Sequence, residues 1–304
     1  MTLNFPNRFI WFVIAAIILI LLQSGCQPIQ PPTAMPAEEE RANMSTYIST
    51  ETESPDGEWT ATTLFQIPRG SETFYQNLIV THVSGAPSYT LMDGEFPLGL
   101  GYTISEPLTW SQDGSRFYYT NRPQADGCAL LFNGSDLHIL HLDSGETEEV
   151  LPADTTATIG LAPDEQHVAY LAMGEPTLSI HDLASSEVTT FDLAPLLDHA
   201  EDESSPQVGA FVWSPDSTAL AFVVAHGPCI DGWAQSTSIY VLDTQTMTAT
   251  AHLGQDERVL SPVAWTEEST LIIENQLPFD QIDQKRQFAL DLATDTVELV
   301  PDQE

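Results

Sequence analysis

The 304-residue chain is 42% hydrophobic, enough to bury the core of one large all-β domain or two ordinary ones, and this excludes wholesale disorder. Its 44 Asp and Glu stand against 8 Lys and Arg, a formal charge of −36. Phosphate recognition needs clustered basic side chains, so nucleic acid is excluded as a partner, and charge-driven docking on anionic lipid is disfavoured.

In chain order, Arg8 supplies a minimal positive region ahead of 13 unbroken apolar residues from Ile10 to Leu22. That run is short of the ~20 residues a spanning helix needs but suits the core of a signal peptide. It ends in Leu22-Gln23-Ser24-Gly25-Cys26, which resembles the lipobox of bacterial lipoproteins. In that family the cysteine is lipidated and becomes the mature N-terminus. Small Ser24 and Gly25 fit the pattern, whereas Gln23 stands where the family usually has Leu. The resemblance implies that 1–25 is a lipoprotein-type signal peptide, Cys26 is the lipidated residue, and the lipid ties the domain to the bacterial cell membrane or outer membrane. An ordinary secretory signal or an uncleaved anchor would equally place the domain outside the cytoplasm. From Cys26 to Asn43 the chain has four prolines, a Glu run and no apolar periodicity, which predicts a disordered, solvated tether.

From residue 44 onward a repeat decides the fold. Ser54-Pro55-Asp56-Gly57, Trp110-Ser111-Gln112-Asp113-Gly114, Leu161-Ala162-Pro163-Asp164 and Trp213-Ser214-Pro215-Asp216 align with a worn copy, Trp265-Thr266-Glu267-Glu268. Their Ser-equivalent positions are 54, 111, 162, 214 and 266, a step near 52 residues that falls in the range of propeller blades. Each copy precedes a β-prone run: 59–65, 116–120, 167–172, 219–224 and 271–273. A second run follows, as in LHILHLDSGE (137–146), LSIHDLASSE (178–187), SIYVLDTQT (238–246) and RQFALDLATD (286–295). A third returns, as in TATAHL (248–253) and TVELV (296–300). Pro fixes φ at the first corner, Asp accepts from nearby backbone N–H groups and Gly tolerates positive φ, so each copy is a hairpin corner. Imperfect alternation along the runs fits strands buried on both faces between neighbouring sheets.

The W-S-P-D-G corner before an apolar strand resembles the TolB-type, or WD40-like, propeller repeat, and the likeness covers 44–304. It implies an all-β propeller of four-stranded blades. An inner strand at 46–51 and an outer one at 296–300 predict five complete blades with no strand exchanged at closure; six, with one blade diverged, is the competing count. The family's propellers serve as binding scaffolds, translocation partners and accessory domains of peptidases, so function is not fixed by the resemblance.

Candidate sites lie where the repeat is interrupted. Extra length falls in 121–136 and 225–237, each holding one cysteine, Cys128 and Cys229. These second-to-third strand loops project from the face opposite the corners, and loops on blades two and four could meet across the rim. In an oxidising compartment the two cysteines suggest a disulfide; two buried free thiols are the alternative. The same loops bring Asp126, Asp231 and Trp233, a candidate recognition surface or merely packing partners of each other. Trp110, Trp213 and Trp265, with Asp56, Asp113, Asp164 and Asp216, recur in phase and are expected to be structural. His138 and His141 lie three apart on a strand and face opposite ways, so they are not a ligand pair. The acidic run 197–203 makes calcium conceivable, but no ligand spacing supports it and no cofactor is expected. Neither G-x-S-x-G, H-E-x-x-H, a P-loop nor an EF-hand loop occurs, so no enzyme activity is expected. The reading is a lipid-anchored scaffold that binds an envelope protein, peptide or glycan. The competing reading is an envelope hydrolase or lyase with carboxylates near the axis.

Overall fold

The computed structural model describes residues 44–97, 103–123, 134, 136–151, 156–172, 176–197, 208–226, 236–266, 270–275 and 286–301. Among these residues, twenty strands form five antiparallel sheets of four consecutive strands each. Blade one comprises β1 (Met44–Glu53), β2 (Trp59–Pro68), β3 (Thr73–His82) and β4 (Ser88–Pro97). Blade two comprises β5 (Thr103–Trp110), β6 (Arg116–Pro123), β7 (Leu137–His141) and β8 (Thr147–Leu151). Blade three comprises β9 (Thr156–Leu161), β10 (His167–Ala172), β11 (Thr177–Asp182) and β12 (Val188–Asp192). Blade four comprises β13 (Val208–Trp213), β14 (Ala219–His226), β15 (Ser236–Asp243) and β16 (Thr248–Asp256). Blade five comprises β17 (Leu260–Trp265), β18 (Thr270–Asn275), β19 (Gln287–Asp291) and β20 (Thr296–Leu299). No sheet borrows a strand from elsewhere in the chain, as expected for five complete blades. First strands of blades three to five lie together, β13 beside both β9 and β17, which places them toward the axis.

Sheets bury both faces because successive residues of one strand serve different neighbours. On β14, Leu220, Phe222 and Val224 pack toward blade three, while Ala221, Val223 and Ala225 pack toward blade five. On β6, Phe117 and Tyr119 meet Trp59, Ala61, Leu78 and Val80 of blade one, whereas Tyr118 faces Ile159 and Val168 of blade three. Burying one such side chain is worth about 1.5–3 kcal/mol, so the seams between sheets hold most of the stability.

The repeated corners behave as their composition predicts. Ser111 Oγ donates to Asp113 Oδ1 (2.7 Å) and accepts from Arg116 N (2.9 Å), while Asp113 accepts from Ser115 N (3.0 Å). Ser54–Asp56 and Ser214–Asp216 repeat the arrangement. Blade three has Ala162 in place of Ser, and there His167 Nδ1 sits 2.7 Å from Asp164 Oδ2 instead. Hydroxyl and backbone donors hold the carboxyls of Asp56, Asp113 and Asp216 below the usual Asp value. At the final corner position Gly57 and Gly114 have φ of 70° and 68°, and Glu165 and Ser217 adopt the same left-handed conformation at 58° and 59°.

Second corners cap themselves with an Asp that ends the third strand: Asp182, Asp243 and Asp291 each accept from two backbone N–H groups. In blade two the aligned position is His141, not Asp143, because Gly145 (φ 73°) falls in register with Ser186, Met247 and Asp295. The interval from Trp110 to this position is therefore 31 residues rather than the 33 that the Asp suggests.

Tryptophans tie blades two, four and five each to the one before. Trp213 Nε1 donates to Gly160 O (2.8 Å), Trp265 Nε1 to Val212 O (2.8 Å) and Trp110 Nε1 to Thr52 Oγ1 (3.3 Å). A Cβ on Gly160 would lie 2.9 Å from Phe211 Cβ, so this approach requires glycine. Gly160→Ala is expected to lower stability by about 1–3 kcal/mol. Gly254→Ala, where a Cβ meets nothing within 4 Å, is expected to leave the melting temperature unchanged. Equal melting of the two variants in a thermal scan would remove the packing argument. Thr63 Oγ1 is the one buried side-chain polar atom without a partner among the described residues. Thr63→Val should therefore raise stability by roughly 1 kcal/mol in chemical denaturation, since it deletes an unmet desolvation cost.

Candidate binding face

Because the strands alternate in direction, the two ends of the propeller differ. First-to-second and third-to-fourth strand turns share one end, the turn face. Second-to-third strand loops, the crossings between blades and the start of β1 share the other, the loop face.

The turn face is a structural belt. Glu165 of blade three accepts from Gln112 N (2.6 Å), Arg116 Nη2 (2.6 Å) and Tyr118 Oη (3.1 Å) of blade two. Asp164 N donates to Ser217 Oγ of blade four (3.0 Å). A Cβ on Gly114 would lie 2.6 Å from Asp56 Oδ2 of blade one, so neighbouring corners nearly touch. The aspartates expected to be structural are occupied here by their own turns. Trp213 is buried and Trp110 and Trp265 are half-buried, all three within seams.

The loop face differs. Strands extend further into the long loops than their composition suggests, β6 to Pro123 and β14 to His226, which leaves 124–136 and 227–235 between strands. Asp126, Cys128, Cys229, Asp231 and Trp233 lie outside the described residues, as do Cys26 and the acidic positions 198–203. Their stems are described, and both are polar and buried. Asp136, 3% exposed, accepts from Asn121 N (2.5 Å) and Asn121 Nδ2 (2.8 Å), and its Oδ2 lies 3.0 Å from His138 Nε2. Thr120 Oγ1 closes the stem on Asp136 O (2.7 Å), and Tyr119 stacks on His138 at 5.0 Å between ring centroids.

From this stem the bonding runs into blade one. Ser105 Oγ donates to Asn121 Oδ1 (2.6 Å), Ser105 N donates to Gln76 Oε1 (3.1 Å) and Gln76 Nε2 donates to Ser105 O (2.6 Å). The blade one–blade two seam is thus apolar toward the turn face and hydrogen-bonded toward the loop face. In blade four, His226, 6% exposed, pairs its Nε2 with Ser238 Oγ (2.8 Å), and Thr237 Oγ1 donates to Leu260 O of blade five (2.7 Å). His138 and His141 take separate carboxylates, Asp136 and Glu148. Among the described residues no three His, Cys, Asp or Glu side chains gather into a metal-binding group.

The Asn121–Asp136 clamp was not singled out from sequence. The available signal was that these polar residues bound the longest insertion, at its first and last positions.

These features define a five-bladed β-propeller with a tied turn face and a loop face built on polar stems. No protein-family model matches the chain, and no curated protein resembles it. Solved structures similar to it include the β-propeller domain of the Trilobed protease from Pyrococcus furiosus, 12% identical with a TM-score of 0.48 over 85% of this chain and 72% of that one. TolB from Acinetobacter baumannii is 13% identical, TM-score 0.43, over 99% and 72%. Pyrococcus horikoshii acylaminoacyl peptidase is 11% identical, TM-score 0.49, over 88% of this chain and 41% of that one.

Burial pushes the Asp136 carboxyl up, but bonds from His138 and from the backbone and side chain of Asn121 outweigh it, and the net shift is downward. A depressed folded value stabilises above the unfolded value, near 3.8, and that stability is lost as pH falls through the folded one. Asp136→Asn should cost about 1–3 kcal/mol at pH 7, with the gap to the native chain narrowing below pH 3.8. Urea titrations at pH 7 and at pH 3 read this directly, and a gap independent of pH would show that the charge plays no part.

Proposed function

We propose that this chain is a lipid-anchored, extracytoplasmic propeller that acts as a binding or scaffold module for a protein, peptide or glycan of the cell envelope. The observation that carries the reading is the pair of clamped stems. Buried hydrogen bonds at Asp136 and His226 fix the ends of the two long loops, so a ligand need not meet the full entropic cost of ordering them. The apolar leader, Cys26 and the proline-bearing tether supply the anchor in this reading. Among the described residues, a hydrolase or lyase working at the axis would have few groups to use. Strands β9, β13 and β17 contain no Asp or Glu, leaving Glu51, Glu53 and Glu106 on β1 and β5.

The test replaces 124–135 and 227–235 with short glycine-containing turns. The variant should melt like the native chain yet lose at least about tenfold in affinity for the ligand found on glycan arrays or in solubilised envelope. Undiminished binding would move the ligand away from these loops. In parallel, the bacterial host expressing Cys26→Ala should incorporate no radiolabelled palmitate into the protein; labelling of that variant would rule out Cys26 as the lipid site.

A further inference from the structure

We infer that the loop face is turned toward the membrane carrying the anchor, while the acidic turn face points away from it. This deepens the reading above and rests on the anchor proposed there. The first observation is where the tether joins. Met44 pairs with Pro68, next to Arg69 of the β2–β3 loop, so the chain enters β1 on the loop face, and β1 is an edge strand of its sheet, at the position that β9, β13 and β17 hold toward the axis in theirs. To bring the turn face to the bilayer, the tether would cross the blade outward and run down its side. That is roughly 15 Å across four strands plus about 33 Å along a ten-residue strand. Eighteen residues, Cys26 to Asn43, reach about 25 Å as a flexible coil and about 56 Å as continuous polyproline II. Turn-face contact therefore demands a tether near full stretch, whereas loop-face contact demands none.

The second observation is independent. Five described residues of the propeller are Lys or Arg. Arg69, Arg122, Arg258 and Arg286 lie at the loop-face ends of their strands, among Glu72, Glu95, Asp192, Asp256, Glu257 and Glu274. The fifth, Arg116, is at the turn face and is held by Glu165. The turn face otherwise presents carboxylates alone: the corner aspartates already described, with Glu58, Glu146 and Glu187. An anionic bilayer repels such a face within a Debye length of about 8 Å and penalises the described loop-face groups, where both signs occur, less. The tether favours this orientation, the described charges agree with it, and the loop-face ends of the strands stand nearer the membrane surface.

The full chain is reconstituted in vesicles containing headgroup-spin-labelled lipid, with p-azidophenylalanine coupled to a fluorophore at one exposed position. Glu72 and Glu257 report the loop face; Asp143 and Gln245 report the turn face. Loop-face labels should be quenched several-fold more than turn-face labels. Equal quenching, or stronger quenching of the turn-face labels, overturns the orientation. A second preparation carries a hexahistidine tag in place of Cys26 and is bound to nickel-chelating lipid. Asymmetry in that preparation alone, with the native chain failing to float with vesicles, supports the orientation and overturns the anchor. Symmetric quenching in both overturns the orientation and leaves the anchor intact.

Discussion

Blades two, three and four each have two faces that water would penalise, and neighbouring sheets cover them. Alternate residues of β14 serve blades three and five, and alternate residues of β6 serve blades one and three. A blade is therefore unstable alone, and the fold is a property of its seams. Everything else sits at the ends of these seams, where strands stop and the polar backbone must be satisfied. On the turn face that duty falls to Ser, Asp and Trp of the repeat; on the loop face, to pairs such as Asn121–Asp136.

The seams are not equivalent, and their differences follow from single residues. Where a blade carries Trp at the end of its first strand, the indole N–H reaches back to the preceding blade's axial strand, 53 positions earlier for Trp213 and Trp265. Blade three carries Leu161 there and has no such donor. That same junction is where Glu165 stands at the glycine position of the corner and takes bonds from Arg116, Gln112 and Tyr118. Hydrogen bonds to a charged group contribute about 1.5–3 kcal/mol, against about 0.5–1.5 for a neutral one. The ionic tie thus offsets the missing indole, even after allowing for the one-third exposure of Arg116. Holding Glu165 at positive φ costs of order 1 kcal/mol, which the three bonds exceed.

How much of this could be read from sequence depended on whether the cause was local. Corners, strand order and blade count were legible, because an Asp accepting from a neighbouring N–H acts within five residues and repeats in phase. Strand lengths were underestimated, since Asn121 to Pro123 and Ala225 to His226 continue pairing beyond the apolar run, held by ladder bonds that composition does not reveal. Asp143 has the residue type of the other turn aspartates but not their place; the backbone register, set by Gly145, gives that place to His141. The clamp was hidden because its partners are joined only when the loop between them closes. Glu165 could have been flagged: an acidic side chain at a position held elsewhere by Gly57 and Gly114 either strains its turn or has a partner.

The extreme acidity becomes tolerable once it is seen where the charges sit. A compact chain at −36 repels itself, yet many of its aspartates occupy turns in which backbone N–H groups and hydroxyls point at the carboxylate. Those donors favour the ionised form, which is why Asp182 and Asp243 titrate low, each chiefly through a backbone N–H of its own turn, as Asp216 does through Ser214. A pH dependence results. Only below the ordinary Asp value do the caps themselves protonate, and the corners then lose their acceptors together. Charge that looks like a burden on the whole molecule is, residue by residue, what closes the turns that bring each sheet against the next.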